Sequence, residues 1–144
     1  MIENSPEPAA AAHAFLTERL LRPPFHGFLT PDIVALDAAG GEVRLVFRHR
    51  QAFQRSPDRA DFHGGVLAAC VDITGHAALA AQLLRPVPTI DMRVDYLRPA
   101  VDTDLHTLGR VVRAGNSVGI VDVEIAGDDG RVLVLGRCLV RTAA

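Results

Sequence analysis

The densest chemistry in this chain of 144 residues lies in Asp61-Phe62-His63-Gly64-Gly65-Val66-Leu67-Ala68-Ala69-Cys70-Val71-Asp72. Two glycines at a helix start let another group approach the first-turn amides closely. Those amides have no intrahelical acceptor and stand at the positive end of the helix dipole, so they suit an anionic or developing-anionic oxygen. Asp72 sits in the middle of the same apolar, Ala-rich segment. A carboxylate there is expensive unless it is used or paired. His76 follows one turn later on the same helix face, within side-chain reach of Asp72.

The elements that must hold these residues can be read from pattern. Pro8 followed by Ala9 to Leu21 predicts a short N-terminal helix, stopped by Pro23-Pro24. Phe28 to Leu36 and Glu42 to Arg48 read as extended segments flanking Gly40-Gly41, a hairpin signal. Arg50 to Phe62 reads as a polar loop. A long helix is expected from His63 to about Leu84, with Val66, Cys70, Ile73, Ala77 and Leu84 as its apolar stripe. From Thr89 to Tyr96 apolar and polar residues alternate with period two, the mark of a strand. Leu105 to Arg113, Val118 to Ala126 and Val132 to Val140 follow as strands, joined at Gly115-Asn116 and Asp128-Asp129-Gly130. Three strands joined by tight turns form an antiparallel meander. The expected class is α+β: a sheet of about six antiparallel strands facing one enclosed helix, in a single domain spanning 1–144 with 1–24 as a helical extension.

Composition excludes several functions. With 49% hydrophobic and 22% charged residues the chain is too apolar for disorder and too charged for a membrane bundle. A net charge of −2, with no basic block, makes a poor nucleic-acid binder. Asp72 and His76 interrupt the longest apolar run, so it is not read as membrane-spanning. Met1 to Pro8 has no cationic region followed by an apolar run, so no signal peptide is expected. Cys70 and Cys138 read as reduced core thiols, and the expected compartment is the cytoplasm.

His63-Gly64-Gly65, six residues and then Asp72, together with Thr89-Ile90-Asp91-Met92-Arg93-Val94-Asp95-Tyr96-Leu97-Arg98-Pro99, resembles a known pattern. It is similar to the hotdog-fold acyl-CoA thioesterases, specifically the phenylacetate-pathway (PaaI-like) subfamily of the 4-hydroxybenzoyl-CoA thioesterase superfamily. The resemblance covers roughly Asp61 to Val140. It implies a sheet wrapped around the long helix and two subunits joined through the strand that begins at Thr89. It implies hydrolysis of an acyl or aryl CoA thioester, with the carbonyl on the Gly64 amide and Asp72 of the partner subunit as nucleophile or general base. Thr89 would place the water or the carboxylate. At about 1.5 Å per residue, Gly64 and Asp72 stand roughly 12 Å apart on one helix, too far to share one carbonyl, which agrees with a two-subunit site.

Substrate contacts implied by the resemblance are Gly65 and His76 near the acyl group, Tyr96, Arg98 and Pro99 at the strand end, the Gly115-Asn116-Ser117 turn, and Arg141. Arginines such as Arg98, Arg113 and Arg141 recognise phosphate in bidentate fashion. No cofactor is required, because a thioester is already activated, and Asp72 with His76 or Asp61 with His63 supplies only two metal ligands. The expected partners are a CoA thioester and further copies of the chain, as a homodimer or a dimer of dimers, with no nucleic acid and no membrane. The pattern departs from many relatives at Pro57, where they carry Asn or Gln, with Ser56, Asp58 or Asp61 as substitutes, and at Asn116, where they carry a base. These departures motivate a second reading, a non-catalytic acyl-CoA-binding or scaffold protein. His76 is expected either to tune Asp72 or to fill the acyl pocket, and His63 to orient the helix entry.

Overall fold

Residues 6–144 are described by a computed structural model; the leader reading at Met1–Ser5 lies outside them. The long apolar segment forms a helix, Gly64–Leu83, here α3. His63 caps its start in an extended conformation, and Leu84, left-handed at φ 53°, closes its end. Cys70, Val71, Ile73, Ala77 and Ala81 are buried. The helix is long and apolar enough to cross a membrane, yet 61% of that window is buried inside the protein, as befits a core helix.

A six-stranded antiparallel sheet covers one side of α3. Its strands are β1 (Asp32–Asp37), β2 (Glu42–Phe47), β5 (Thr89–Tyr96), β6 (Leu105–Ala114), β7 (Val118–Ala126) and β8 (Val132–Arg141). Their spatial order is β1-β2-β6-β7-β8-β5, so β6, β7 and β8 form the expected meander and β5 lies at an edge. Alternation explains the layer: Val121, Val123 and Ile125 point into the core from β7, as Val43, Leu45 and Phe47 do from β2. On the other side lies α1 (Pro6–Leu21), which packs on α3. It buries Ala12, Leu16 and Leu20, one residue per turn.

Helix and sheet approach closely because glycines line the contact. A Cβ on Gly136 of β8 would sit 2.4 Å from Val71 Cγ1, and one on Gly109 of β6 only 3.0 Å from the Thr74 carbonyl. The buried Thr74 hydroxyl donates to Thr107 Oγ1 at 2.8 Å, and Thr107 donates to the Leu45 carbonyl at 3.3 Å. That chain of bonds satisfies the polar groups trapped between the layers.

Four expectations need correction. Pro24–Leu29 is a short helix, α2, so the strand expected from Phe28 begins only at Asp32. α1 stops at Leu21, ahead of Pro23-Pro24, and Pro24 starts the next helix, since proline fits the first helical position. The segment expected to be a polar loop instead holds a 3-10 turn (Gln51–Phe53) and a small hairpin, β3 (Gln54–Ser56) with β4 (Arg59–Phe62). Phe53 and Phe62 bury there and give the hairpin a core. Leu84 is exposed rather than part of the buried stripe, because the chain has already left the helix. Finally, the period-two alternation of β5 does not sort its residues into buried and exposed: a bulge between Thr89 and Asp91 leaves Ile90 exposed, and Tyr96, at the strand end where it bonds the Gly64 carbonyl, is exposed as well.

The glycine contact makes a prediction. Val71 is β-branched and has one favoured rotamer in a helix, so it has little freedom to turn away from a new methyl group. Gly136→Ala should therefore destabilise the protein by about 1–3 kcal/mol through overpacking. Urea unfolding reads the shift; an unchanged midpoint would show that the layers have slack.

Candidate active site

The helix entry is pinned before the glycines begin. The His63 N–H donates to the Phe53 carbonyl at 2.8 Å and the Phe62 N–H to the Ala100 carbonyl at 2.9 Å. His63 Nδ1 then accepts from the Gly65 N–H at 2.9 Å. A lone pair on Nδ1 leaves the neutral ring its proton on Nε2. This bond uses up the Gly65 amide, whereas the Gly64 N–H has no hydrogen-bond partner among the described residues. Tyr96 lies directly over it: its hydroxyl donates to the Gly64 carbonyl at 2.7 Å, and its ring would be 3.5 Å from a Cβ on Gly64. Beside this contact runs a groove of about 290 Å³, lined by Gly64, Leu67, Tyr96, Arg98, Pro99 and Ala100. Arg98 is held there by donating to the Val132 carbonyl at 2.7 Å.

Asp72 belongs to a second cluster. The Thr89 hydroxyl donates to Asp72 Oδ1 at 2.6 Å, a short charge-assisted bond, and Oδ2 has no donor among the described residues. His76 does not bond to Asp72. Its Nδ1 lies 3.0 Å from the Val87 carbonyl, and a carbonyl can only accept, so Nδ1 carries the proton. Of the two roles expected for His76, direct tuning of Asp72 by hydrogen bonding is thus not what the geometry shows. The Gly115-Asn116-Ser117 turn gathers at the same end: Thr142 N–H donates to the Ser117 carbonyl at 2.9 Å, and Arg141 N–H to the Pro88 carbonyl at 2.8 Å.

The site residues therefore fall into two groups, not one. His63, Gly64, Gly65, Tyr96, Arg98 and Pro99 lie at one end of β5; Asp72, His76, Thr89, Gly115, Asn116, Ser117 and Arg141 lie at the other. The ends are seven residues apart, about 23 Å at roughly 3.3 Å per strand residue. The helix gives a separation of about 12 Å between Gly64 and Asp72. Within one chain the free amide and the free carboxylate oxygen stay apart.

Other polar groups near the motif are spoken for. Asp61 is buried, which by itself would push its carboxyl up. Arg55, at 2.7 Å from Nε to Oδ2, and Arg59, at 3.2 Å, outweigh that and hold it below the usual carboxylate range. Pro57 and Asp58 are exposed in the β3–β4 turn, and Ser56 accepts from the Asp58 N–H at 3.4 Å. Neither they nor Asp61 has a hydrogen bond to Asp72 or Thr89. Burial pushes the Cys138 thiol up to about 12 and Cys70 higher still, so both are inert free thiols. A larger depression of about 760 Å³ lies on the outer sheet face, but its charges pair with one another, Arg137 with Asp122 at 2.6 Å and Arg93 with Asp95 at 3.1 Å.

One partly buried polar residue escaped the sequence reading. His26 of α2 is half-buried, and that burial is the main influence lowering its pKa below the ordinary imidazole value. The available signal was Pro24 opening Pro24-Phe25-His26-Gly27-Phe28-Leu29 as a helix; it could show the helix but not its neighbours.

Comparison with known proteins identifies the family. A sequence profile of the Thioesterase superfamily matches residues 60–134, the stretch from β4 through α3, β5, β6 and β7 to the start of β8. A protein of Halobacterium salinarum that carries an esterase name is 38% identical over 106 residues, 69% of this chain and 70% of that protein. The medium/long-chain acyl-CoA thioesterase YigI of Salmonella typhimurium is 30% identical over 102 residues, which span 60% of this chain and 66% of YigI. The crystal structure of a thioesterase-superfamily protein superposes with a TM-score of 0.84 at 32% identity, covering 90% of this chain and 97% of the other. The Escherichia coli PaaI protein shares the fold with a TM-score of 0.83 at 20% identity, covering 94% and 95%. From the profile match, the identities and the shared architecture of sheet and central helix, this chain belongs to the thioesterase superfamily.

Proposed function

We propose that this protein hydrolyses acyl-CoA thioesters, acyl or aryl, at sites shared between two copies of the chain. The carrying observation is that Thr89 holds Asp72 with one carboxylate oxygen free, while the unpartnered Gly64 amide stands at the far end of the same strand. The YigI name supports the substrate class. Among the described residues the outer edge of β5 has no partner strand, and Ile90, Tyr96 and Leu97 are 56%, 53% and 49% exposed along it. Such an edge invites pairing with another chain. Antiparallel pairing of two β5 edges would bring the Thr89 end of one copy against the Tyr96 end of the other, giving a homodimer with two composite sites; a dimer of dimers extends it.

In such a site the thioester carbonyl oxygen sits on the Gly64 N–H of one copy. Asp72 of the other copy attacks the carbonyl carbon or takes a proton from the attacking water. A new C–O bond forms, the negative charge gathers on the oxygen held by the amide, and the C–S bond breaks as the CoA sulfur leaves. On the water route it takes up the proton removed by Asp72. On the attack route water then cleaves the Asp72–acyl anhydride, freeing the acid and the carboxylate and supplying the proton that the thiolate takes up. One oxyanion donor contributes about 3 kcal/mol and a positioned base about 10² to 10⁴ in rate. Arg98 and Arg141, at the rim of the two clusters, supply charge for the CoA phosphates. The departures at Pro57 and Asn116 motivate the binding-only alternative; the Thr89–Asp72 bond favours hydrolysis, because it orients a carboxylate that a binding protein would not need.

Purified protein should release free thiol from members of an acyl- and aryl-CoA panel, and Asp72→Asn should lose at least about a hundredfold in rate. Thermal stabilisation by CoA thioesters without any thiol release would establish the binding role instead. Gly64→Pro isolates the amide. Proline fits the first helical position, His63 already has the extended conformation (ψ 133°) that proline demands before it, and a Cβ on Gly64 meets Tyr96 only at ordinary contact. The variant should fold normally and lose about 10² to 10³ in kcat; unchanged turnover would remove Gly64 from the mechanism.

A further inference from the structure

The free Gly64 amide belongs to a stretch of backbone that is held at each of its other polar atoms. In the peptide plane that carries it, the His63 carbonyl accepts from the Val66 N–H at 3.0 Å and the Leu67 N–H at 3.3 Å. In the next plane, between Gly64 and Gly65, the N–H donates to His63 Nδ1 at 2.9 Å and the carbonyl accepts from the Tyr96 hydroxyl at 2.7 Å. Consecutive glycines have wide backbone freedom, so without such ties the direction of the amide would vary. Of these ties, only the Tyr96 bond comes from outside the helix and its cap. Tyr96 is itself fixed to the sheet: it pairs with Val134 of β8, and the Leu97 and Arg98 N–H groups donate to the Leu133 carbonyl at 2.9 and 3.2 Å. Its ring would lie 3.5 Å from a Cβ on Gly64, ordinary contact distance. An exposed tyrosine hydroxyl can bond to water instead, so burial does not force this contact.

Resting on the thioesterase reading, we propose that Tyr96 is a positioning residue that aims the Gly64 amide at the reacting oxygen. An oxyanion donor lowers a barrier only if it already points to where the charge will develop. The plane that Tyr96 and His63 hold from its two ends shares the Gly64 Cα with the plane of the free N–H, so fixing the first restricts rotation of the second. The phenol has one hydrogen, and the Gly64 carbonyl takes it. Tyr96 therefore acts through the backbone and is not a second donor to the oxyanion. This role is distinct from the substrate contact that the family resemblance implies for Tyr96, and it ties the start of α3 to the sheet at the end of β5.

Tyr96→Phe keeps the ring over Gly64 and removes only the hydroxyl, so the chain should fold as before. Its kcat should fall about tenfold with KM changed less than about threefold, since a donor misaimed by a fraction of an ångström costs rate rather than binding. A double-mutant cycle separates positioning from a general loosening of the fold. In a Gly64→Pro chain, which has no amide left to aim, adding Tyr96→Phe should lower kcat by less than about twofold. Independently of activity, the NMR order parameters of the Gly64 and Gly65 amides should fall in Tyr96→Phe from the rigid value of about 0.85, while those of the buried middle of α3 stay level. Wild-type kcat in Tyr96→Phe, a full tenfold loss added on top of Gly64→Pro, or unmoved order parameters at the two glycines would each overturn the proposal. A wild-type protein inert to every acyl-CoA would sink the thioesterase reading, and the order parameters alone would then decide whether Tyr96 holds the Gly64 amide.

Discussion

The length of helix between Gly64 and Asp72 governs everything else about this molecule. A helix is rigid over two turns, and about 12 Å of it separates the Gly64 amide, unpartnered among the described residues, from the carboxylate. No side-chain rotation closes that gap, since an Asp side chain reaches only a few ångströms. The edge strand holds the two groups at opposite ends: Tyr96 clasps Gly64 at one end and Thr89 clasps Asp72 at the other. On the proposed reading each chain carries two half-sites of opposite character, a hydrogen-bond donor and a base. A two-fold axis beside β5 is the simplest way to make them meet, because an isologous interface places each end of the strand against the opposite end of its copy.

The rest of the fold keeps those half-sites in place. Glycines in β6 and β8 let α3 lie close on the sheet, so its axial position is set by contacts with Thr74 and Val71 rather than by loose packing. His63 sets the rotation of the first turn by capping Gly65, which also decides which of the two glycine amides remains free. Asp61, locked between Arg55 and Arg59, and the Phe53–Phe62 pair anchor the hairpin that leads into the helix. These contacts do no chemistry, but a shift of an ångström in any of them would move the amide.

Much of this was legible in the residues. The helix from Gly64 was readable because an Ala-rich apolar run with glycines at its head admits few alternatives, and the strands because period-two alternation is hard to mimic. The pairing of Asp72 with Thr89 came from the family pattern, not from spacing. Three features were hidden for physical reasons. The β3–β4 hairpin is too short and too charged to show alternation, and its two aromatic residues reveal its core only once they are brought together. The exposure of Ile90 follows from a bulge that no local sequence signal marks. The partial burial of His26 depends on how α2 packs, a long-range outcome that the pattern of a six-residue helix does not contain.

The most direct test of a shared site is complementation between two inactive chains. Asp72→Asn breaks the base and Gly64→Pro breaks the amide donor, so a dimer with one chain of each kind holds one intact composite site and one doubly damaged one. Random reassociation of equal amounts makes half the dimers mixed, and about a quarter of the wild-type activity should return. Activity no greater than the sum of the two separate variants, with mixed dimers shown to form, would contradict a site built from two chains.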